Sequence, residues 1–187
     1  MKQNRIKSIA AVTPMRFRIS FRLLTALTLV VAASFGAMAQ SLPAVHLVAD
    51  GLGPRPIEQL TGTTIVHHYA QAWNDLADAM DSGRTSSLGE EFVGLAKDRL
   101  VKRITEQREA GLHVRILDHG HQLKAVFYSA DGTAIQLIDR AQLEIQTFDG
   151  DRLLDTDNAP REYIVLMTPG ADRWYVRELE EVSVKSF

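Results

Sequence analysis

The sequence contains no cysteine. That excludes a disulfide framework, thiolate catalysis and any cysteine-based zinc site. Stability must therefore come from a hydrophobic core alone. The first 39 residues contain no acidic side chain, although six basic ones (Lys2, Arg5, Lys7, Arg16, Arg18 and Arg22) fall there. Beyond them no run of lysine or arginine occurs. The longest uncharged apolar run, Leu23 to Ala39, is 17 residues and includes Thr25, Thr28, Ser34 and Gly36. It falls short of the ~20 apolar residues of a bilayer-spanning helix.

A basic start, this apolar run and the small-x-small end Ala37-Met38-Ala39 are the three parts of a secretory signal peptide. The expectation is cleavage after Ala39, a mature chain from Gln40, and a periplasmic or extracellular location. The segment from Met15 could itself begin an ordinary signal, which leaves Met1 and Met15 as alternative starts. The whole chain has 21 basic and 23 acidic residues; without the first 39 the balance is 15 to 23, a net charge of −8. So acidic a chain argues against nucleic acid, whose affinity rests on neutralising phosphates.

Residues 40–56 contain three prolines and two glycines without periodicity, and are read as a flexible tether. A single domain is expected over 57–187. Ile65, His68, Tyr69, Ala72, Trp73, Leu76, Ala79 and Met80 recur at helical spacing, and Gly83 closes that helix. Ser87-Leu-Gly-Glu90 has the form of a capping box opening a second helix. Leu88, Phe92, Leu95, Ala96, Leu100 and Ile104 supply its apolar side, and Gly111 its C-terminal cap. After Gly111 the period drops to two. Leu123, Ala125 and Phe127 alternate with polar or outward positions, Asp131-Gly132 marks a tight turn, and Ile135, Leu137, Ala141, Leu143 and Ile145 resume the alternation. Strands are expected around Tyr163–Thr168 and Arg173–Glu181. Helices followed by an antiparallel meander give an α+β domain, with the N-terminal helices on one face of a curved sheet.

Two amphipathic helices, a long hairpin and the closing strand Asp172-Arg-Trp-Tyr-Val-Arg-Glu-Leu resemble the nuclear transport factor 2-like (NTF2-like) superfamily of cone-shaped α+β domains. Trp174-x-Val176 resembles the "GRWLV" strand common there. The Trp73-Asn-Asp-Leu helix followed by a charged one is similar to the plastid-division and inner-membrane-translocase-related branch. The resemblance spans about residues 57–183 and implies a fold that hosts enzymes, ligand pockets and interaction modules alike.

Asp139 lies in register with Ile135, Leu137, Ala141 and Leu143, on the face expected to be buried. A carboxylate there raises its pKa or finds a partner. Arg140 and Arg177 are the arginines weighed as partners. In the isomerase-type members of the superfamily an acid inside the cone transfers protons, so the resemblance makes Asp139, with His68, a catalytic candidate. Tyr69, Trp73, Asp139 and Tyr163 are candidate ligand-binding residues. His67 and His68 are adjacent on a helix and cannot face one metal together. His119-Gly-His121 has strand spacing for one face but no third ligand at a recognisable offset, so no metal is expected. No nucleophile elbow, phosphate loop or dinucleotide fingerprint occurs, and no cofactor is expected. The functional expectation is an exported, non-catalytic domain binding a partner protein or a small apolar ligand, with a homodimer through the open sheet face as a further expectation. The alternative is an isomerase- or dehydratase-like enzyme using Asp139.

Overall fold

The structure, a computed structural model, describes residues 41–182. The expected signal peptide and cleavage site lie outside the described residues. Strand β1 (Val45–Val48) is followed by helix α1 (Gln59–Ser82), a 3-10 turn (Thr85–Leu88) and helix α2 (Gly94–Glu109). Then come β2 (Leu112–Tyr128), β3 (Ile135–Asp149), β4 (Arg152–Asp157), β5 (Arg161–Pro169) and β6 (Trp174–Val182). The sheet order is β1-β2-β3-β5-β6, with β4 paired to the far end of β3. No helix among the described residues is long and apolar enough to cross a membrane.

The expected stripe makes α1. Ile65, Tyr69, Ala72, Trp73, Leu76, Ala79 and Met80 are buried, and Gly83 ends the helix in the left-handed conformation. α1 packs on β2, β1 and β6, and α2 on β6 and β2, so both helices cover one face of the sheet. Between them lies the core, where Leu123, Ile135, Leu137, Val165, Met167 and Val176 are wholly enclosed. Trp174 joins it at 6% exposure, as its alternation with Val176 requires.

Four local expectations need correction. The stretch 40–56 does not hang free as a tether, because β1 pairs in parallel with β2 at Val45↔His121 through Val48↔Lys124. Its proline and glycine content conceals a four-residue strand, and it makes the sheet mixed rather than purely antiparallel. The motif Ser87-x-x-Glu90 caps no helix. Ser87 lies inside the 3-10 turn, and α2 opens seven residues on, at Gly94, without a side-chain cap. Leu95, assigned to the apolar side of α2, is consequently exposed. Phe127, assigned to the inner face of β2, is also exposed, because a bulge between Ala125 and Phe127 advances the strand by one residue and turns Tyr128 inward.

Strand β4 has no sequence counterpart among the expectations. It pairs with β3 alone, and five of its six residues are exposed. The tight turn at Asp131-Gly132 joins β2 to β3 as expected. β5 and β6 form where the two closing strands were anticipated. The edge of β6 is covered by the loop before α2, where Val176 donates its N–H to the Glu91 carbonyl and accepts from the Val93 N–H.

Candidate functional site

The buried carboxylate of Asp139 is the centre of a polar network. It sits on β3 opposite Leu123 of β2 and Tyr163 of β5, with no exposed surface. Its partner is His121, not an arginine. His121 Nδ1 lies 2.7 Å from Asp139 Oδ2, and Tyr69 of α1 donates its hydroxyl to the same oxygen at 2.8 Å. On the far side of the ring, His121 Nε2 is 2.8 Å from Asp118 Oδ2. Arg140 instead pairs with Glu162 at the surface, and exposed Arg177 donates to Thr168 Oγ1.

A second bulge in β2, between Asp118 and Gly120, builds this arrangement. Asp118 Oδ1 accepts the Gly120 N–H at 2.8 Å, which leaves Oδ2 for the imidazole. Gly120 has φ +124°, and a Cβ there would lie 3.2 Å from the Ala44 carbonyl oxygen, so the bulge requires glycine. The extra residue places His119 outside and His121 inside. The two histidines therefore do not share a face, contrary to the expectation from their spacing, and no cluster of metal-ligating side chains occurs among the described residues.

His121 is charged at neutral pH. Burial, the largest single influence, works to lower its pKa. Hydrogen bonds and charge from Asp118 and Asp139 together outweigh it and raise the pKa to about 9. Both ring nitrogens then donate, and one imidazolium bridges two carboxylates. Burial, followed by the Asp139 charge, pushes the Tyr69 hydroxyl well above its ordinary value. Asp139 Oδ1 has no hydrogen-bond partner. The tilted indole of Trp73 covers the imidazole at 4.6 Å between ring centres, and Tyr163 meets Trp73 edge-on at 5.3 Å. Such aromatic packing shields the imidazole on this side and strengthens its hydrogen bonds, while Asp118 remains partly exposed.

On the other side of Trp73 and Tyr163 lies a cavity of about 90 Å³. Its inner wall is apolar, with Leu76 and Met80 from α1, Leu100 from α2 and Val114 from β2. Half-buried Ile116, Ile145 and Leu179 continue it outward, and Arg103, Arg161 and Glu181 complete the lining. Arg161 holds Glu181 and Asp157, each at 2.5 Å. Burial, then the Glu181 charge, raises the Tyr163 hydroxyl to about 12. Asp139 and Tyr69 do not line this cavity. Of the four candidate ligand-binding residues, Trp73 and Tyr163 therefore face it, while Tyr69 and Asp139 belong to the sealed network behind.

His68 stands apart from both. It is half-buried, with Nδ1 3.8 Å from Glu91 Oε1, and burial lowers its pKa, with neighbouring His67 adding to the effect. It has no hydrogen bond to Asp139. Asp118 and His121 are the residues that sequence reasoning missed as partners. A buried strand carboxylate demands a donor one cross-strand step away, and that requirement is the signal that could have found them.

No protein-family model matches the sequence, and neither does any curated protein. Solved structures do match in shape. The intermembrane-space region of the chloroplast protein ARC6 is similar at 18% identity and a TM-score of 0.56, over 70% of this chain and 99% of that one. ActVI-ORFA from Streptomyces coelicolor aligns over 67% and 98% of the two chains, at 10% identity and a TM-score of 0.47. A Streptomyces avermitilis protein assigned to the NTF2-like family as a dehydratase aligns over 66% and 99%, at 11% identity and a TM-score of 0.44. Of these three, the ARC6 region alone aligns closely enough to speak for the fold. Two helices on one face of an open, bulged sheet, with that counterpart matched over nearly its whole length, give this chain the α+β fold of the ARC6 region, the arrangement that the sequence resemblance implied.

Proposed function

We propose that this chain is an exported, non-catalytic binding domain that takes a small apolar group into the mouth of its cone. The observation that carries the reading is the separation between cavity and carboxylate. The apolar cavity ends at Trp73 and Tyr163, and Asp139 lies behind them without exposed surface. A general acid must come within hydrogen-bond reach of its substrate, about 3 Å or one bridging water. Asp139 has instead His121 and Tyr69 as neighbours, which argues against the isomerase-like alternative. At about 90 Å³ the cavity is well below the ~300–1,000 Å³ of pockets that enclose whole ligands. It suits the short branched end of a molecule or an apolar side chain of a partner protein. The charge-free apolar run before Gln40 supports action outside the cytoplasm.

The test is titration of the purified domain with 3-methylbutan-1-ol, followed by amide NMR. Shifts should concentrate at Trp73, Val114 and Leu179, and Val114→Phe, which fills the cavity, should abolish them. A wild-type protein showing no localised shift at millimolar ligand would refute the reading.

A further inference from the structure

We propose that the group bound in this cavity belongs to a small monocarboxylic acid, its branched apolar tail inside and its carboxylate held at the mouth by Arg103. The inference rests on the cavity being the binding site, and adds the chemical class of what enters it. The lining has three charged side chains, Arg103, Arg161 and Glu181. Arg161 donates to Glu181 at 2.5 Å and through its other terminal nitrogen to Asp157, so its charge is fully engaged by two carboxylates. Arg161 is also largely buried, whereas Arg103 is exposed.

Arg103 makes no hydrogen bond or ion pair among the described residues. Its neighbours on the polar side of α2 do, Arg99 with Glu178 at 3.3 Å and Lys102 with Glu106 at 3.8 Å. Among the described residues the opening thus presents one guanidinium without a direct ion pair beside an apolar hole, on a chain whose net charge beyond residue 39 is −8. A guanidinium offers a planar fork of donors matched to a carboxylate. Glu181 at the same rim opposes a bulkier, doubly charged head such as a phosphate ester. The volume admits roughly three to five methylene-sized groups, at about 30 Å³ for each water-sized unit and allowing for a tail that fills the half-open mouth. A short branched-chain acid meets all three conditions.

The experiment compares 3-methylbutanoate with 3-methylbutan-1-ol, two probes with the same tail and different heads, by NMR titration at low ionic strength. The acid should bind about fivefold more tightly, the upper range for an exposed ion pair. Arg103→Gln should erase that preference, and added salt should reduce it in the wild-type chain. Equal binding of the two probes to the wild-type chain, or a preference that survives Arg103→Gln, would overturn the assignment of the acid while the cavity reading stands. Tighter binding of 3-methylbutan-1-amine would overturn it in favour of Glu181. Binding of neither acid nor alcohol would remove both readings together.

Discussion

Replacing Asp139 should unfold this protein more readily, and the size of the effect can be worked out in two independent ways. Asp139→Asn leaves the imidazolium of His121 buried with one carboxylate, and Asp139→Leu leaves the Tyr69 hydroxyl without its acceptor as well. Breaking one side of a buried ion pair costs about 3–5 kcal/mol. The histidine gives the second figure. Its pKa rises from 6.5 to about 9 on folding, and at 1.36 kcal/mol per pKa unit the network contributes about 3 kcal/mol. A raised folded-state pKa fixes the sign: the contribution is complete below pH 6.5 and disappears as the pH climbs through about 9. Urea denaturation at pH 6, 7.5 and 9.5 should therefore show the wild-type chain losing about 3 kcal/mol across that window. The double variant Asp139→Asn/His121→Gln should lose this dependence. A wild-type stability that is flat between pH 6 and 9.5, or an Asp139→Asn variant within about 0.5 kcal/mol of wild type at pH 6, would refute the charged network.

Three further outcomes follow from particular residues. Trp174→Ala should cost about 3–5 kcal/mol in thermal or urea melts, the range for truncating a buried aromatic, since Trp174 is 6% exposed. Gly89→Ala should destabilise by about 1–2 kcal/mol, because Gly89 has φ +65° and its Cβ would collide with the Asp75 carboxylate. Intact-mass measurement of exported protein should give a chain beginning at Gln40; a full-length, membrane-bound species would contradict the signal peptide.

The elements were legible where a single period ran undisturbed. The α1 stripe and the inner face of β3 follow directly from spacing, because nothing interrupts either. Strand β2 was legible only in part, since two bulges shift its register. The first turns Phe127 outward and Tyr128 inward. The second separates His119 from His121. His121 itself keeps the inward alternation of Leu123 and Ala125, so its face follows from the spacing. What spacing does not supply is the pairing of β2 with β3 that brings His121 to Asp139, so the need for a partner was visible and its identity was not. Strand β4 escaped notice because exposed Leu153 and Leu154 give it no inner face to read. The separation of cavity from carboxylate depends on how Trp73 and Tyr163 pack side by side, which no periodicity records.

The short strand β1 has a mechanical consequence. Its residues pair with 121–124, and the Ala44 carbonyl accepts the backbone N–H of His121, the residue whose ring bridges Asp118 and Asp139. A pull along the chain from its N-terminal side loads these β1–β2 hydrogen bonds together, in shear, instead of peeling them one at a time. The first backbone bond in that row ends on the residue that anchors the buried charges. Tension at the start of the domain is thereby delivered to its most strongly paired point, so that the strand and the network should yield as one unit.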